Sequence, residues 1–390
     1  MILRLTPLIL STLLLVLPVF AQTIIPAPPQ ISASAYLLID ANSGRVIVEH
    51  NADQRLPPAS LTKMMTSHVL SYEIAKGNID NDDLVLISEN AWSQNPVFAG
   101  SSLMWIEVGK KVSISDLHRG IIISSGNDAS VAVAEHIAGS ESAFADIMNQ
   151  HAALLGMDNT HYVNSHGLPD PDHYTSARDL AKLAQAKITQ YPEDYSIYKE
   201  REFTFNNIRQ YNRNTLMAED STVDGLKTGH TEEAGYCLVA SAERQGMRLI
   251  SVVMGASSER ARKRESKKLL SYGFRFFETH KLYSGGEQIS DVRVWKGMSE
   301  RLGLGVAEEL YLTLPRGRLD DLKASTVIEN VIIAPISQAE KVGSIQVTLD
   351  GEVIVERPLL ALEAVQESGF FSRLWDQVVL WFSQIFGSGG

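Results

Sequence analysis

The sequence has a single cysteine, Cys237, in 390 residues. No intramolecular disulfide is possible, and the multi-cysteine sites that hold structural zinc or iron–sulfur clusters are excluded. A chain this long buries enough apolar surface to fold without such staples. The flanks of the lone thiol, "AGYCLVASA", read as a buried strand, so Cys237 is expected to pack as a small hydrophobe. Basic residues are the minority, with 35 Lys and Arg against 46 Asp and Glu and a formal net charge of −11. That surface repels phosphate backbones, and no nucleic-acid partner is expected. Also missing are a His-Glu-x-x-His zinc motif, a Gly-x-Ser-x-Gly elbow and a Gly-rich phosphate loop. The stretch "GLGVAE" starts like a dinucleotide fingerprint but carries Glu308 where the third glycine belongs. No cofactor is expected. Low-complexity tracts and internal repeats are absent as well. At 44% hydrophobic and 21% charged, the composition is that of a folded globular protein.

One long apolar run is present, residues 8–20, after Arg4 and before the small residue Ala21. It is short for a spanning helix, which needs about 20 apolar residues. The pattern reads as a secretory signal peptide over residues 1–21, cut after Ala21. The Pro-rich segment 22–31 then reads as an extended leader.

Residues 32–278 read as one α+β domain. "AYLLIDANSGRVIVEHN" gives two strands joined by a turn at Asn42, Ser43 and Gly44. After Pro57 and Pro58 a helix is expected through "SLTKMMTSHVLSYEIAK", ending at Gly77. "SISDLHRGIIISSGNDASVAVAEHIAG" reads as two helices broken between Ser124 and Asn127, and "SARDLAKLAQAKIT" as another helix. "CLVASAERQGMRLISVVMGAS" is a hairpin turning near Gln245 and Gly246, and "RESKKLLSYGFRFFETH" a helix that packs back. Strands at both ends with helices between them predict a mixed α+β domain.

Residues 279–367 read as a small all-β, sandwich-like domain. "VRVW", "LYLTLP", "ASTVIE" and "VIIAP" are short β-branched runs, and "IQVTLDGEVIVE" is a hairpin with Asp350 and Gly351 as its turn. The remaining stretch, 369–386, is amphipathic. Phe371, Leu374, Trp375, Val378, Trp381, Phe382, Ile385 and Phe386 form one helical stripe; Ser372, Arg373, Asp376, Gln377, Ser383 and Gln384 take the other side. That aromatic density at the end of a complete β domain predicts a helix lying in a membrane interface rather than one docked on the protein's own core.

Two clusters invite chemistry without carrying it. "HYVNSHGLPDPDHYT" holds His161, His166, His173, Asp170 and Asp172, but the spacing fits no metal pattern. A structured loop near an active site is expected there, and no metal. The basic run 260–268 reads as a solvated helix face from which one arginine can reach a carboxylate.

Three short motifs carry more. Ser60 and Lys63 form S-x-x-K at an expected helix start, where i and i+3 share a face. Ser125, Gly126 and Asn127 form S-G-N at a break between helices. Lys227, Thr228 and Gly229 form K-T-G in a strand leading into a hairpin. A serine hydroxyl is a weak nucleophile and needs a base, and a desolvated lysine beside a second cation can act as one. Lys227 is a candidate for that cation.

With these motifs in this order, the chain resembles the low-molecular-mass penicillin-binding proteins, the serine-type D-alanyl-D-alanine carboxypeptidases. The resemblance extends over nearly the whole chain after residue 21 and includes "VDGLKTGHT", "MRLISVVMGA", "SKKLLSYGFRFFET" and "GFFSRLWD". It implies a transpeptidase/β-lactamase-like domain, a second β-rich domain and a C-terminal amphipathic membrane helix. It implies that Ser60 attacks the carbonyl between the last two D-alanines of a peptidoglycan stem peptide, with Lys63 accepting its proton. Ser125 would relay a proton to the leaving amine, and Asn127 would hold substrate or orient Lys63. Lys227, Thr228 and Gly229 would line a strand edge that meets the terminal carboxylate, with Arg262 and Arg213 on the carboxylate side. Backbone N–H groups of Ser60 and His230 would form the oxyanion hole, and β-lactams would acylate the same serine. The setting implied is the periplasmic face of a bacterial inner membrane.

Other readings make different demands. A class A β-lactamase needs a glutamate between the second and third motifs to activate the deacylating water, and "NSHGLPDPDHYTSARDLA" has His166, Asp170, Asp172 and Asp179 but no glutamate. A transpeptidase or endopeptidase shares all three motifs and differs in pocket shape. A penicillin-binding sensor or cell-wall scaffold would not need the full set of Ser60, Lys63, Ser125, Asn127 and Lys227.

Overall fold

The structure, a computed structural model, describes residues 25–328 and 331–386. The leader expected at 1–21 lies outside the described residues. Residues 25–34 run without regular structure, and Ile25 and Ile31 pack on the core beneath them.

Five strands form the central sheet: β1 (Ala35–Asp40), β2 (Val46–His50), β3 (Val223–Thr231), β4 (Gly235–Arg244) and β5 (Met247–Ala256). Their order is β2-β1-β5-β4-β3, and every pairing is antiparallel. β3 is thus an edge strand. Turn chemistry sets the register. Asp40 Oδ1 accepts from the backbone N–H of Asn42 (3.1 Å) and Ser43 (2.7 Å) between β1 and β2. Gln245 and Gly246, with φ of 51° and 80°, turn β4 into β5 as a two-residue hairpin loop.

Both faces of the sheet are covered, which explains the unbroken apolar runs in β4 and β5. On one face Leu37, Ile39, Val239, Ile250 and Val252 pack with Met64, Met65 and Val69 of helix α1 (Lys63–Ala75). The helices α2 (Asn127–Ala138), α3 (Glu141–Leu154) and α4 (Ala177–Gln190) complete that layer. On the other face Leu38, Leu238, Leu249 and Val253 meet Leu269, Leu270 and Phe274 of α5 (Glu259–Phe276). α1 is buried all round from Lys63 to Ser71, as befits the central helix of a layer.

Two boundaries differ from the sequence reading. The helix expected from Ser60 begins as a 3-10 turn, Ala59–Thr62, and becomes α-helical only at Lys63. The helix read from Arg264 begins at Glu259, capped by Ser258 Oγ accepting from Ala261 N (3.1 Å), and stops at Phe276. Strand Phe277–Tyr283 follows at once and pairs with Leu310–Pro315.

Beyond it lies a β-rich region. Strands Lys323–Ile328, Lys341–Leu349, Glu352–Ala361, Arg301–Gly305, Gln288–Trp295 and Ile332–Ile333 form a six-stranded sheet in that spatial order. Leu302, Leu304, Ile345 and Leu359 lie in its principal core. Asp350 and Gly351 take φ of 53° and 86° in the tight turn between two of the strands.

The last described element is helix α6 (Phe370–Phe386). Its polar side faces the protein. Asp376 Oδ2 accepts from Lys296 N (2.6 Å), and Gln377 accepts from the Lys296 ammonium. Phe371 (84% exposed), Trp375 (69%) and Trp381 (56%) face outward. Leu380 is buried. The stripe members Ile385 and Phe386 lie outside the described side chains. Among the described residues no helix is long and apolar enough to cross a membrane.

Candidate active site

Ser60 sits in the 3-10 turn between Pro58 and α1, where side chains at i and i+3 eclipse. Lys63 therefore points back along the turn, and its Nζ lies 3.2 Å from Ser60 Oγ. The preceding Ala59 has a left-handed φ of 49°, a strained backbone that its surroundings must hold in place. Two close approaches do so. A Cβ on Gly229 of β3 would lie 2.9 Å from Pro58 O, and one on Gly167 would lie 1.9 Å from Ala59 O. Gly167 also has φ of +91°, a conformation only glycine adopts freely. Glycine at both positions lets the strand and the loop press on the turn that carries Ser60.

The amine of Lys63 is fully buried. Besides Ser60 it donates to Asn127 Oδ1 (2.7 Å) and to the backbone carbonyl of His166 (2.6 Å). Burial is the main cause pulling its pKa down to about 7, with the guanidinium of Arg213 second; Asp128 and Glu141 pull the other way. Two cations act here: Arg213 on the cleft wall lowers Lys63, and Lys227, the cation expected from the sequence, is coupled to Lys63 by mutual charge repulsion.

Ser125 ends a π-helical turn, Gly120–Ser124, in a left-handed conformation with φ of 60°. Its Oγ accepts from Lys227 Nζ at 2.8 Å, and Lys227 also donates to Thr228 O (3.1 Å). Burial, with Lys63, Arg213 and Arg262, pushes the Lys227 pKa well down. Just after Asn127, the buried Asp128 carboxylate accepts the N–H groups of Met104 (2.8 Å), Trp105 (2.9 Å) and Ile106 (3.2 Å). This ties the segment behind Ser101 and Ser102 to the start of α2, where Asn127 N donates to Ser102 O (2.8 Å).

Ser60, Ser125, Asn127, Thr228, Gly229, His230, Arg213 and Arg262 line one cleft of about 710 Å³. Lys63 and Lys227 lie beneath its floor. The volume is that of a small-molecule or peptide-end site. Arg262, from the basic run on α5, is buried and donates through Nη1 to Gly229 O (3.0 Å), with its guanidinium over the Tyr236 ring. Exposed His230 stacks on Tyr236 with centroids 3.9 Å apart. The cleft thus has a nucleophile and buried amines at its floor and two guanidinium groups on its wall, a combination suited to acyl transfer from a substrate ending in a carboxylate.

The histidine-rich loop forms one wall through His166, Gly167 and Leu168. Four of the six ring nitrogens of His161, His166 and His173 are engaged in hydrogen bonds. His161 Nδ1 donates to Asp172 O (2.6 Å), His173 Nδ1 accepts from Val163 N (3.0 Å), and His173 Nε2 pairs with Thr62 Oγ1 (2.7 Å). Among the described residues no three His, Cys, Asp or Glu side chains converge as a metal site would require. Cys237 is buried in β4, and burial pushes its thiol up to about 11. Sequence reasoning missed Asp128 and Glu141, two acids with no motif to mark them beyond the Asp that follows S-G-N.

Comparison with known proteins agrees with this geometry. Residues 22–258 match the family described as D-alanyl-D-alanine carboxypeptidase. The chain belongs to the D-alanyl-D-alanine carboxypeptidase family. Residues 277–367 match the C-terminal domain of penicillin-binding protein 5. Within this family the chain is 51% identical to the D-alanyl-D-alanine carboxypeptidase DacA of Escherichia coli (strain K12), over 94% of this chain and 92% of that one. It is 47% identical to DacC of the same strain, covering 92% and 91%. The crystal structure of penicillin binding protein 5 from Haemophilus influenzae superposes with a TM-score of 0.84 at 45% identity, covering 88% of this chain and all of that one. The α+β domain followed by a β-rich domain is the architecture shared with penicillin binding protein 5 from Haemophilus influenzae.

Proposed function

We propose that this carboxypeptidase removes the terminal D-alanine from peptidoglycan stem pentapeptides through an acyl-enzyme on Ser60. The observation that carries the assignment of roles is the 3.2 Å contact between Ser60 Oγ and a fully buried Lys63 amine whose pKa lies near 7. A substantial fraction of that amine is neutral at physiological pH, and a neutral amine can accept the serine proton.

The steps follow from the groups present. Ser60 Oγ attacks the carbonyl carbon of the penultimate D-alanine as Lys63 Nζ takes its proton. Backbone N–H groups of Ser60 and His230 receive the charge that develops on the carbonyl oxygen. The C–N bond then breaks, and the proton that Lys63 took passes through Ser125 Oγ, which Lys227 holds, to the departing D-alanine amine, leaving Lys63 neutral again. Water adds to the ester, giving its proton to Lys63, and Ser60 leaves with the proton returned. Net, one peptide bond and one water become a shortened stem peptide and D-alanine. Thr228 and Lys227, with Arg213 and Arg262, hold the terminal carboxylate; Gly229 keeps the strand edge against the nucleophile turn; Asn127 orients Lys63. β-Lactams acylate Ser60 through the same cleft.

The setting we propose is the periplasmic face of a bacterial inner membrane. A signal peptide delivers the chain, and α6 lies in the lipid interface by its outward aromatic face. The activity then acts in cell-wall remodelling and cell shape.

Assay of free D-alanine from diacetyl-lysyl-D-alanyl-D-alanine, beside labelling with a fluorescent penicillin, tests the reading. Both signals are expected from the intact protein and neither from Ser60→Ala. Labelling without D-alanine release would reject the carboxypeptidase assignment for a sensor, a scaffold or an enzyme with another acyl acceptor.

A further inference from the structure

Lys63 Nζ rests on three acceptors, and the shortest of these contacts is to a backbone carbonyl, His166 O, at 2.6 Å. A carbonyl in a loop is only as well placed as the loop. Residues 164–168 are held by short-range bonds, with Asn164 Oδ1 accepting from Gly167 N (2.6 Å) and His166 Nδ1 accepting from Leu168 N (3.1 Å). One group from outside the loop fastens it from below. A single oxygen of Glu141, Oε1, accepts from Ser165 N (3.0 Å) and Ser165 Oγ (2.6 Å) and faces His166 Nε2 at 3.3 Å. Because His166 Nδ1 is an acceptor, Nε2 carries the hydrogen, and its 3.3 Å approach to that oxygen is a polar contact that supplements the two hydrogen bonds from Ser165. From the other side, Thr66 Oγ1 of α1 donates to Ser165 O (2.5 Å). The loop is thus clamped between α1, which carries Lys63, and the first residue of α3.

We propose that Glu141 is a positioning residue for the Ser60–Lys63 pair: by gathering Ser165 and His166 on one carboxylate oxygen it fixes the His166 carbonyl on which the Lys63 amine rests. The inference depends on Lys63 being the proton acceptor of Ser60. Glu141 touches neither the cleft nor the substrate. The other titratable or charged groups facing the amine are Asp128, Arg213, Lys227, His166 and His173. None of them binds both Ser165 and His166.

The full chain without its leader is compared with Glu141→Ala, Glu141→Asp and Glu141→Gln by the single-turnover rate of penicillin acylation between pH 5 and 9. A catalytic amine displaced by a fraction of an ångström loses about 10–100-fold in rate. Glu141→Ala is expected to lose that much in the acylation step with penicillin affinity unchanged. Its rate–pH curve is also expected to move to lower pH, because a displaced carbonyl and an absent carboxylate stabilise the ammonium less. Glu141→Asp keeps an acid at the helix start but falls one methylene short, so it shows the loss even where the alanine variant does not fold. Glu141→Gln keeps an oxygen in place for all three contacts and recovers most of the rate. An unchanged rate and midpoint in Glu141→Asp would overturn the proposal, as would a Gln variant no better than Ala. Lys63→Ala separates the two layers: if it acylates like the parent, the reading of Lys63 fails, whatever Glu141 does.

Discussion

Ser125 Oγ accepts a 2.8 Å hydrogen bond from Lys227 Nζ, which joins the break before α2 to the edge strand β3 across 102 residues of sequence. The pair sits beside the Ser60–Lys63 pair, so the cleft has two hydroxyl–amine units rather than one. The first is suited to attack and the second to the departing amine. Ser125→Ala is expected to lower D-alanine release about 100–10,000-fold, the range for losing a proton-transfer group. Rapid-quench measurement of acylation and deacylation locates the loss.

Gly229 is expected to tolerate no side chain. A Cβ there meets Pro58 O at 2.9 Å, Ala59 Cβ at 3.3 Å and Leu61 Cγ at 3.3 Å, so Gly229→Ala pushes on the turn that carries Ser60. Overpacking of this kind costs about 1–3 kcal/mol. Denaturant unfolding should show that loss, and penicillin acylation should fall more than the stability change alone explains.

Lys187 of α4 is fully buried away from the cleft, donating to Ser67 O and Ser71 Oγ of α1, and burial pulls its pKa down to about 7. The unfolded chain holds that proton up to its ordinary value of 10.5. Between the two pH values the unfolded state binds more protons, so stability rises with pH and the cost of Lys187 is greatest below 7. Lys187→Met is expected to stabilise the protein by about 1–3 kcal/mol at pH 7, with the gain fading toward pH 10.5. Thermal melts across that range check both sign and window.

The outward face of α6 carries Phe371, Trp375 and Trp381. Each such side chain, once buried in lipid, contributes about 2 kcal/mol. Replacing Phe371 and Trp375 by serine is expected to reduce sedimentation with phospholipid vesicles by at least about tenfold while leaving D-alanine release from a soluble peptide unchanged. Equal sedimentation of parent and variant, or binding that persists after removal of residues 369–390, would count against a lipid-facing helix.

Much of this was legible in the sequence, and the failures have physical causes. The strands of the sheet, the tight turns at Gln245–Gly246 and Asp350–Gly351 and the break at Ser125 all announce themselves by local chemistry. The three motifs and the family resemblance together named ten residues, and the structure gathers them at one cleft and its floor. The 3-10 turn at Ser60 was not legible, because it depends on Gly229 and Gly167 pressing from segments far away in sequence. The start of α5 was hidden by its basic run: Arg262 and Glu265 are buried there through polar contacts, which blurs the apolar period. Glu141 has no motif because its role depends on a loop 24 residues on.

The central claim is that a buried, partly neutral Lys63 activates Ser60, and the rate of penicillin acylation measured against pH in single turnover tests it most directly. The expected curve rises about tenfold per unit below pH 7 and levels off above it, with Lys63→Ala losing the acylation altogether. A rate that is flat from pH 5 to 9, or that survives in Lys63→Ala, would contradict it.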